Sequence, residues 1–278
     1  TGGAGFIGSH LVEYLTKNKK IKKIIVIDNL KDGSKKNLLI ALKSKKVTLI
    51  KNDIRNKNSI KKYLNGVHTV IHLAALSDIV PSIEEPLEYL ETNFNGTLNI
   101  LEAMRLKKVK RIIYSASSSC YGIPFRVPTS EKDKINPMYP YAFSKYVGEQ
   151  LIQHYAKIYK INYISFRLFN VYGTRSRTNT AYGAALGVFL KQKLENRKFT
   201  IVGSGNQKRD FINVLDVCSV FEKAIFSKIK NQIYNIGYGK PKSVNELVRL
   251  IGGEKTHIPK RPGEPFITHA NILKVSKD

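Results

Sequence analysis

A chain of 278 residues with 42% hydrophobic content can bury a substantial core, as one large domain or two interlocked ones. Its formal net charge of +26 could suit nucleic acid, an anionic membrane or an acidic small substrate. The lysines, however, are scattered through every segment (Lys17 to Lys23, Lys35, Lys36, Lys107, Lys108, Lys110, Lys191, Lys193) and no nucleic-acid-binding motif accompanies them, so they read as a solvated surface with no nucleic-acid partner. Cys120 and Cys218 are too few for a disulfide framework and match no metal spacing. His68 and His72 bracket an apparent strand, ~13 Å apart at that spacing, so no metal site is expected. No apolar run approaches membrane-spanning length and no charged-then-apolar leader opens the chain; the expectation is a cytoplasmic protein without membrane contact.

The chain opens with Thr1 to Gly8, TGGAGFIG, followed by an amphipathic helical stretch. Gly2, Gly5 and Gly8 allow a tight turn, close approach of backbone to a pyrophosphate and close helix packing. The helix N-terminus, entered through Phe6 and Ile7, favours phosphate charge. An apolar strand from Ile24 to Ile27 ends in Asp28 and Asn29. An acid about twenty residues after the loop can bind both hydroxyls of an adenosine ribose, which favours NAD over NADP, while Lys31 and Lys35 nearby keep the second open. Such a loop should follow a buried strand, so a few more apolar residues are expected before Thr1.

The βα alternation continues. Val47 to Ile50 is a strand leading to Asp53, placed to meet an adenine edge, and Ile54. Val67 to Leu73 is another, running into Ala74 and Ala75, small residues that let a flat cofactor lie against the backbone at the C-terminal end of a parallel strand. A long helix from about Pro86 to Leu106 carries Asn93 near its middle. Arg111 to Ser115 is the next strand, ending in Ser117-Ser118-Ser119-Cys120-Tyr121-Gly122. Tyr141-Ala142-Phe143-Ser144-Lys145 follows, with tyrosine and lysine on one face of a helix. Service of a tyrosine as a base near neutrality needs a shift of roughly three units, or ~4 kcal/mol, which a nearby ammonium and a cationic cofactor ring could together supply. Further on, Ala184 to Leu194 and Val214 to Ile225 read as helices, Phe199 to Val202 as a strand, and Ser243-Val244-Asn245-Glu246 as a capping box.

Taken together, TGGAGFIG, Asp28, HLAA at 72–75, SSSCYG at 117–122, YAFSK at 141–145, RLFNVYG at 167–173, RDFINVLDV at 209–217, NIGYGKPKSVNEL at 235–247 and RPGEP at 261–265 resemble the extended short-chain dehydrogenase/reductases, specifically the NAD-dependent nucleotide-sugar epimerases and dehydratases. The resemblance implies a Rossmann-like doubly wound parallel α/β sheet with a smaller mixed α/β substrate-binding domain. The first would comprise 1–168 plus about 209–237, and the second about 169–208 plus 238–278, with the family segment cut short at Asp278. It implies NAD as the cofactor, held by Gly2, Gly5, Phe6, Ile7, Gly8, Asp28, Asn29, Asp53, Ile54, Leu73, Ala74, Ala75, Asn93, Tyr141 and Lys145. It implies Ser117 as the residue that hydrogen-bonds the reacting sugar hydroxyl, Tyr141 as the base, and Lys145 as the group that lowers the tyrosine pKa. Asn170 resembles the family's substrate-binding asparagine, Arg209 and Arg261 its two diphosphate-binding arginines, and Glu264 the acid that holds the nucleotide ribose; Ser77, Ser118, Thr200 and Thr268 complete the expected substrate contacts. Homodimers through a four-helix bundle are also implied, with seams at Leu90, Phe94, Leu98, Leu101, Val147, Leu151 and His154.

Within the family, 4,6-dehydratases carry Asp-Glu after the catalytic Ser/Thr and decarboxylases usually a Glu at the second position. Here Ser118 and Ser119 stand there. The GDP-sugar 3,5-epimerases place a cysteine two residues before the tyrosine matching Tyr121; here that residue is Ser119, and Cys120 reads as packing. The resemblance then implies C4 epimerisation of a UDP-hexose. Threonine at 268 is small where bulk limits the C2 substituent, so an N-acetylhexosamine fits as well as glucose or galactose, and Ser77 stands where galactose epimerases tend to carry a lysine. Rival readings are a UDP-uronate 4-epimerase or a reductase on the same scaffold, and a non-catalytic NAD-binding regulator.

Overall fold

The computed structural model describes residues 1–176, 185–259 and 265–278. Gly5 ends the glycine turn and opens α1 (Phe6–Thr16), which buries Leu11, Val12 and Leu15. The apolar runs that follow form β1 (Ile24–Asp28) and β2 (Val47–Lys51), parallel with Ile24 opposite Val47. After the single turn α2 (Lys57–Ile60) comes β3 (Val70–His72), shorter than the sequence predicts. On its other edge β3 meets the start of the chain, the Leu73 amide donating to the Thr1 carbonyl at 3.2 Å.

A helix unforeseen in the sequence, α3 (Ile79–Glu84), precedes α4 (Pro86–Leu90), where proline at the first position costs nothing because that N–H lacks a helical partner. The helix expected over 86–106 is present, but as α4, a π turn over Glu91–Asn95, and α5 (Gly96–Leu106). A π turn closes i→i+5 rings and so rotates everything after it. Next come β4 (Arg111–Ser117), the long α6 (Pro140–Tyr159) and β5 (Asn162–Leu168).

The later elements are short apart from α7 and α8. They are β6 (Asn170–Tyr172), α7 (Ala185–Leu194), β7 (Phe199–Val202), β8 (Lys208–Arg209), β9 (Phe211–Asn213), α8 (Val214–Phe226), β10 (Gln232–Ile236), β11 (Lys242–Ser243), α9 (Val244–Ile251), β12 (Lys255–Ile258) and α10 (Leu273–Lys277). The capping box at Ser243 is formed in both directions, Ser243 to the Glu246 amide and Glu246 to the Ser243 amide.

Strands β10, β5, β4 and β3 hydrogen-bond in that order, all parallel. Thr1 and Gly2 lie between β3 and β1: the Thr1 nitrogen donates to the Ile71 carbonyl at 2.8 Å, and the Gly2 amide to the Ile27 carbonyl at 2.9 Å. The order β2, β1, Thr1–Gly2, β3, β4, β5, β10 is that of a doubly wound sheet, with its crevice at the C-terminal ends where the order reverses. Each face carries a core: Ile100, Leu101, Met104, Ile112 and Ile152 on one, and Leu11, Ile113, Phe166, Val217 and Phe221 on the other. Full burial of such side chains contributes about 1.5–3 kcal/mol each. A separate small core joins Phe189, Phe199, Ile201, Val244 and Val248.

Candidate active site

The crevice is a cleft of about 870 Å³ along the C-terminal strand ends, lined at one end by the glycine loop and at the other by β7, Arg209 and Thr268. In the loop, Gly8 packs so tightly that a Cβ there would lie 2.1 Å from the Gly2 carbonyl oxygen. A Cβ on Gly5 would meet only that oxygen, at 3.4 Å, while Gly5 itself faces the cleft. Gly8 is thus required by the fold, and Gly5 by whatever fills the cleft. No side chain caps α1, so its first-turn amides stand at the cleft wall with Phe6, Ile7 and Gly8. This is a cradle for an anionic group.

Asp28 closes the same end. Its carboxylate accepts from the Ala4 and Leu30 amides, each at 2.9 Å, and is held at the wall of the cleft. Asn29 and Ile54 also line the cleft, as do Asn52 and Arg55, which the sequence did not mark. Asp53 is not on that wall. It is held by Arg55 (Nε at 3.0 Å, Nη2 at 2.8 Å) and by Asn29 Nδ2 at 2.9 Å. Its bonds to Arg55 bring the carboxyl down to about 2. The residue expected at an adenine edge, Asp53, thus also braces Asn29 and Arg55, both of which line the cleft.

Leu73, Ala74, Ala75 and Ser77 form the wall after β3, together with Leu76 and Asp78. Asn93 stands behind it, 1% exposed. Its amide accepts from the Leu76 N–H at 2.8 Å, and donates to the Leu76 carbonyl at 3.0 Å and to Ser144 Oγ at 2.9 Å. It therefore ties the wall to α6 from within the π turn and is not itself on the cleft wall.

The reactive groups converge at the end of β4. Ser117 Oγ lies 2.7 Å from Ser119 Oγ, and the Tyr141 phenol lies near enough for both serines to favour its ionised form. Burial pushes the Tyr141 pKa up, the neighbouring Ser117 hydroxyl opposes it, and the Asp78 charge adds to the rise. Lys145, one turn along α6, is 4% exposed, with Nζ 4.3 Å from the centre of the Tyr114 ring. Burial lowers its pKa to about 7, partly offset by Glu149. Ser119 was passed over in the sequence because it was read only as the absence of an acid. The i, i+2 spacing on a single turn after a strand end is the signal that would have found it. Cys120 is buried and its thiol is pushed up to about 12 by burial, an inert packing group.

At the far end, Asn170, Thr200, Arg209 and Thr268 line the cleft, with Ser118 nearer Ser117. Thr268 Oγ1 donates to Asn170 Oδ1 at 3.2 Å. Arg209 donates to the Lys208 carbonyl at 3.0 Å, and the fully buried Asp210 beside it accepts from the amides of Tyr238, Gly239 and Ala270. Asp210 is therefore spent on two backbone segments, 238–239 and 270. Arg261 and Glu264 lie outside the described residues. Among the described residues, no group of three metal-ligating side chains comes together, and no helix is long and apolar enough to cross a membrane.

Along the catalytic helix, Glu149 and Arg167 form a buried pair, with Nη2–Oε1 at 2.6 Å and Nε–Oε2 at 3.2 Å. Arg167 Nη1 also donates to the Tyr121 hydroxyl at 2.9 Å, which donates to Asn235 Oδ1 at 2.7 Å. One network thus joins α6, β5, β10 and the serine turn. Of the expected dimer seam, Leu101 is 0% exposed inside the chain's own core and His154 is exposed. Leu90, Phe94, Leu98, Val147 and Leu151 are half-buried.

A doubly wound sheet, a glycine cradle, an acid at the end of β1 and a Ser–Tyr–Lys cluster over the strand ends define a dinucleotide-dependent oxidoreductase-type site. The model of the NAD dependent epimerase/dehydratase family matches residues 1–237, and the chain belongs to that family, whose cofactor is NAD. A putative UDP-glucose 4-epimerase of Methanocaldococcus jannaschii is 39% identical over 99% of this chain and 89% of its own. A UDP-N-acetylglucosamine 4-epimerase from Methanobrevibacter ruminantium, solved with UDP-N-acetylmuramic acid, superposes with a TM-score of 0.94 at 32% identity, covering 99% of this chain and 89% of that one. A UDP-glucose 4-epimerase of Thermotoga maritima, solved with UDP-glucose, gives 0.93 at 30% identity, covering 99% and 90%. The cradle at Gly5 and the carboxylate of Asp28 fit the family's cofactor.

Proposed function

We propose that the chain inverts C4 of a UDP-hexose, glucose/galactose or an N-acetylhexosamine, through a transient 4-keto sugar. The observation that carries this reading is the Ser117–Ser119–Tyr141 hydroxyl cluster, with Lys145 one turn away and serines at 118 and 119 where dehydration needs acids. Tyr141 takes the C4-hydroxyl proton, directly or through Ser117, and later returns it; such positioned proton transfer contributes about 10²–10⁴-fold. NAD, when bound, supplies the reversible acceptor for the C4 hydride. Burial and Asp78 hold the Tyr141 phenol protonated in the cofactor-free protein. The base form is therefore made only when cationic charge gathers beside it, and Lys145 contributes that charge.

The remaining roles follow from position. The α1 amides and Gly5 receive the cofactor diphosphate, Asp28 its adenosine ribose, and Ala74 and Ala75 leave room for its flat ring. Arg209 and Arg261 offer bidentate donors to the UDP diphosphate, Glu264 holds the nucleotide ribose, and the sugar stays free to turn over. Asn170, held by Thr268, faces the sugar, and the small Thr268 leaves space for a C2 substituent. The half-buried seam on α4–α5 and α6 supports a homodimer of this cytoplasmic enzyme through a four-helix bundle, without Leu101.

The test is incubation with UDP-glucose, UDP-N-acetylglucosamine and UDP-glucuronate separately, without added NAD, with the sugar C4 read by NMR. A C4-inverted product from a UDP-hexose supports the reading. No inversion from any of them, even with NAD added, refutes it.

A further inference from the structure

Two cations stand at the Asp28 end of the cleft, and both are engaged. Lys31 follows the turn that Asp28 holds by accepting from the Leu30 amide, and Arg55 follows β2; both line the cleft. These are the groups that a 2′-phosphate on the adenosine ribose would seek, since that phosphate is strongly anionic and the Asp28 carboxylate can only accept. The fold ties both of them to carboxylates. Arg55 grips Asp53 with two nitrogens, Nε at 3.0 Å and Nη2 at 2.8 Å. Glu88 on α4 accepts from Lys31 Nζ, and the same Oε1 lies 4.0 Å from Arg55 Nη1. Lys31, Glu88, Arg55 and Asp53 thus form one chain of alternating charge along the wall where β1 and β2 end, and Asp53 closes it back on Asn29.

We infer that Glu88 is a second determinant of NAD over NADP, working beside Asp28 by withholding Lys31 from a 2′-phosphate. The lysine that keeps NADP open in the sequence is already paired in the fold. NAD leaves the charge chain undisturbed, because its ribose hydroxyls donate to Asp28. With NADP, Asp28 meets the phosphate with like charge. Lys31 can then turn to the phosphate only by leaving Glu88, whose unpaired carboxylate on the same wall adds to the repulsion. Asp28 discriminates by contact and Glu88 by occupying the cation. The side chains of Lys31 and Glu88 are 49% and 35% exposed, so the share of Glu88 is a modest one, screened by solvent.

The experiment titrates cofactor-free protein with NAD and NADP by calorimetry, with no sugar present, so its outcome is independent of the 4-epimerase reading. Three proteins are compared: wild type, Glu88→Gln, and Glu88→Gln combined with Lys31→Met. Wild type should bind NAD the more tightly. Glu88→Gln should narrow the ratio of NAD to NADP affinity about fivefold, by gain on NADP, and the gain should shrink as salt rises. Removing Lys31 as well should return the ratio towards that of wild type, which a change in folding or in cleft shape would not do. Equal wild-type affinity for the two cofactors, an unchanged ratio in Glu88→Gln, or a gain on NADP that survives the loss of Lys31 would overturn the role of Glu88.

Discussion

At the scale of single residues, Lys145 carries the clearest energetic signature. Burial lowers its pKa to about 7 in the folded, cofactor-free protein, while the unfolded chain restores an ordinary lysine near 10.5. Between those values the unfolded state binds more protons, so stability rises with pH across that window, by at most about 1.4 kcal/mol per pH unit. Lys145→Met should abolish this slope, and it should be more stable than wild type at pH 6 by more than at pH 10. Urea unfolding of the cofactor-free proteins at both pH values checks it; parallel pH profiles would show that the ammonium is not desolvated. Gly5 and Gly8 separate two reasons for a glycine. Gly8→Ala drives a Cβ into the Gly2 carbonyl and should lower the melting temperature. Gly5→Ala meets only a 3.4 Å neighbour, so it should melt like wild type yet bind NAD at least about tenfold more weakly. Calorimetry of both variants decides this, and a Gly5→Ala protein with unchanged NAD affinity would remove the cradle from the account.

At the scale of elements, helix α6 is held in register by its buried Glu149–Arg167 pair. Removing one partner strands the other charge in the core, a loss of about 3–5 kcal/mol. Glu149→Ala should therefore destabilise the protein by that order in urea unfolding. Glu149→Leu with Arg167→Met should recover most of the loss, because a well-packed apolar pair needs no compensation. A double variant no more stable than the single one would point to the Tyr121–Asn235 bonds as the larger contribution.

Helices and strands were largely legible as periodicity: Phe199 to Val202, the helix from Val214 and the capping box at Ser243 all fall where their residues place them. What escaped was local geometry that periodicity does not encode. The π turn at Glu91–Asn95 leaves the apolar pattern of 86–106 intact, and neither the burial of Asn93 behind the cleft wall nor that of Leu101 in the core is written in that pattern. Asp53 and Arg55 are two residues apart, and which of them faces a ligand depends on the Asn29 bond rather than on either residue type. Ser119 and Asp78 reach the site through a single turn and a short helix, too brief to leave a periodic trace.

At the scale of the whole molecule, the charge of +26 and the reaction centre are separable. The lysines lie on every segment, whereas the Ser–Tyr cluster sits where seven strand positions end in parallel, the place in such folds where ligands bind. The glycine loop, the acid at the end of β1 and the Tyr–Lys pair were readable in sequence because each is a contiguous or fixed-spacing device. Their convergence on one cleft follows from the strand order alone. The central claim is that a hydride leaves C4 and returns to the same carbon within one cleft. The most direct measurement uses UDP-hexose deuterated at C4, incubated in ordinary water without added NAD, with the product examined by NMR and mass spectrometry. The account requires inverted product that keeps its deuterium at C4, with no net NADH. Inversion with the deuterium washed out to solvent, or net oxidation of the sugar, would contradict it.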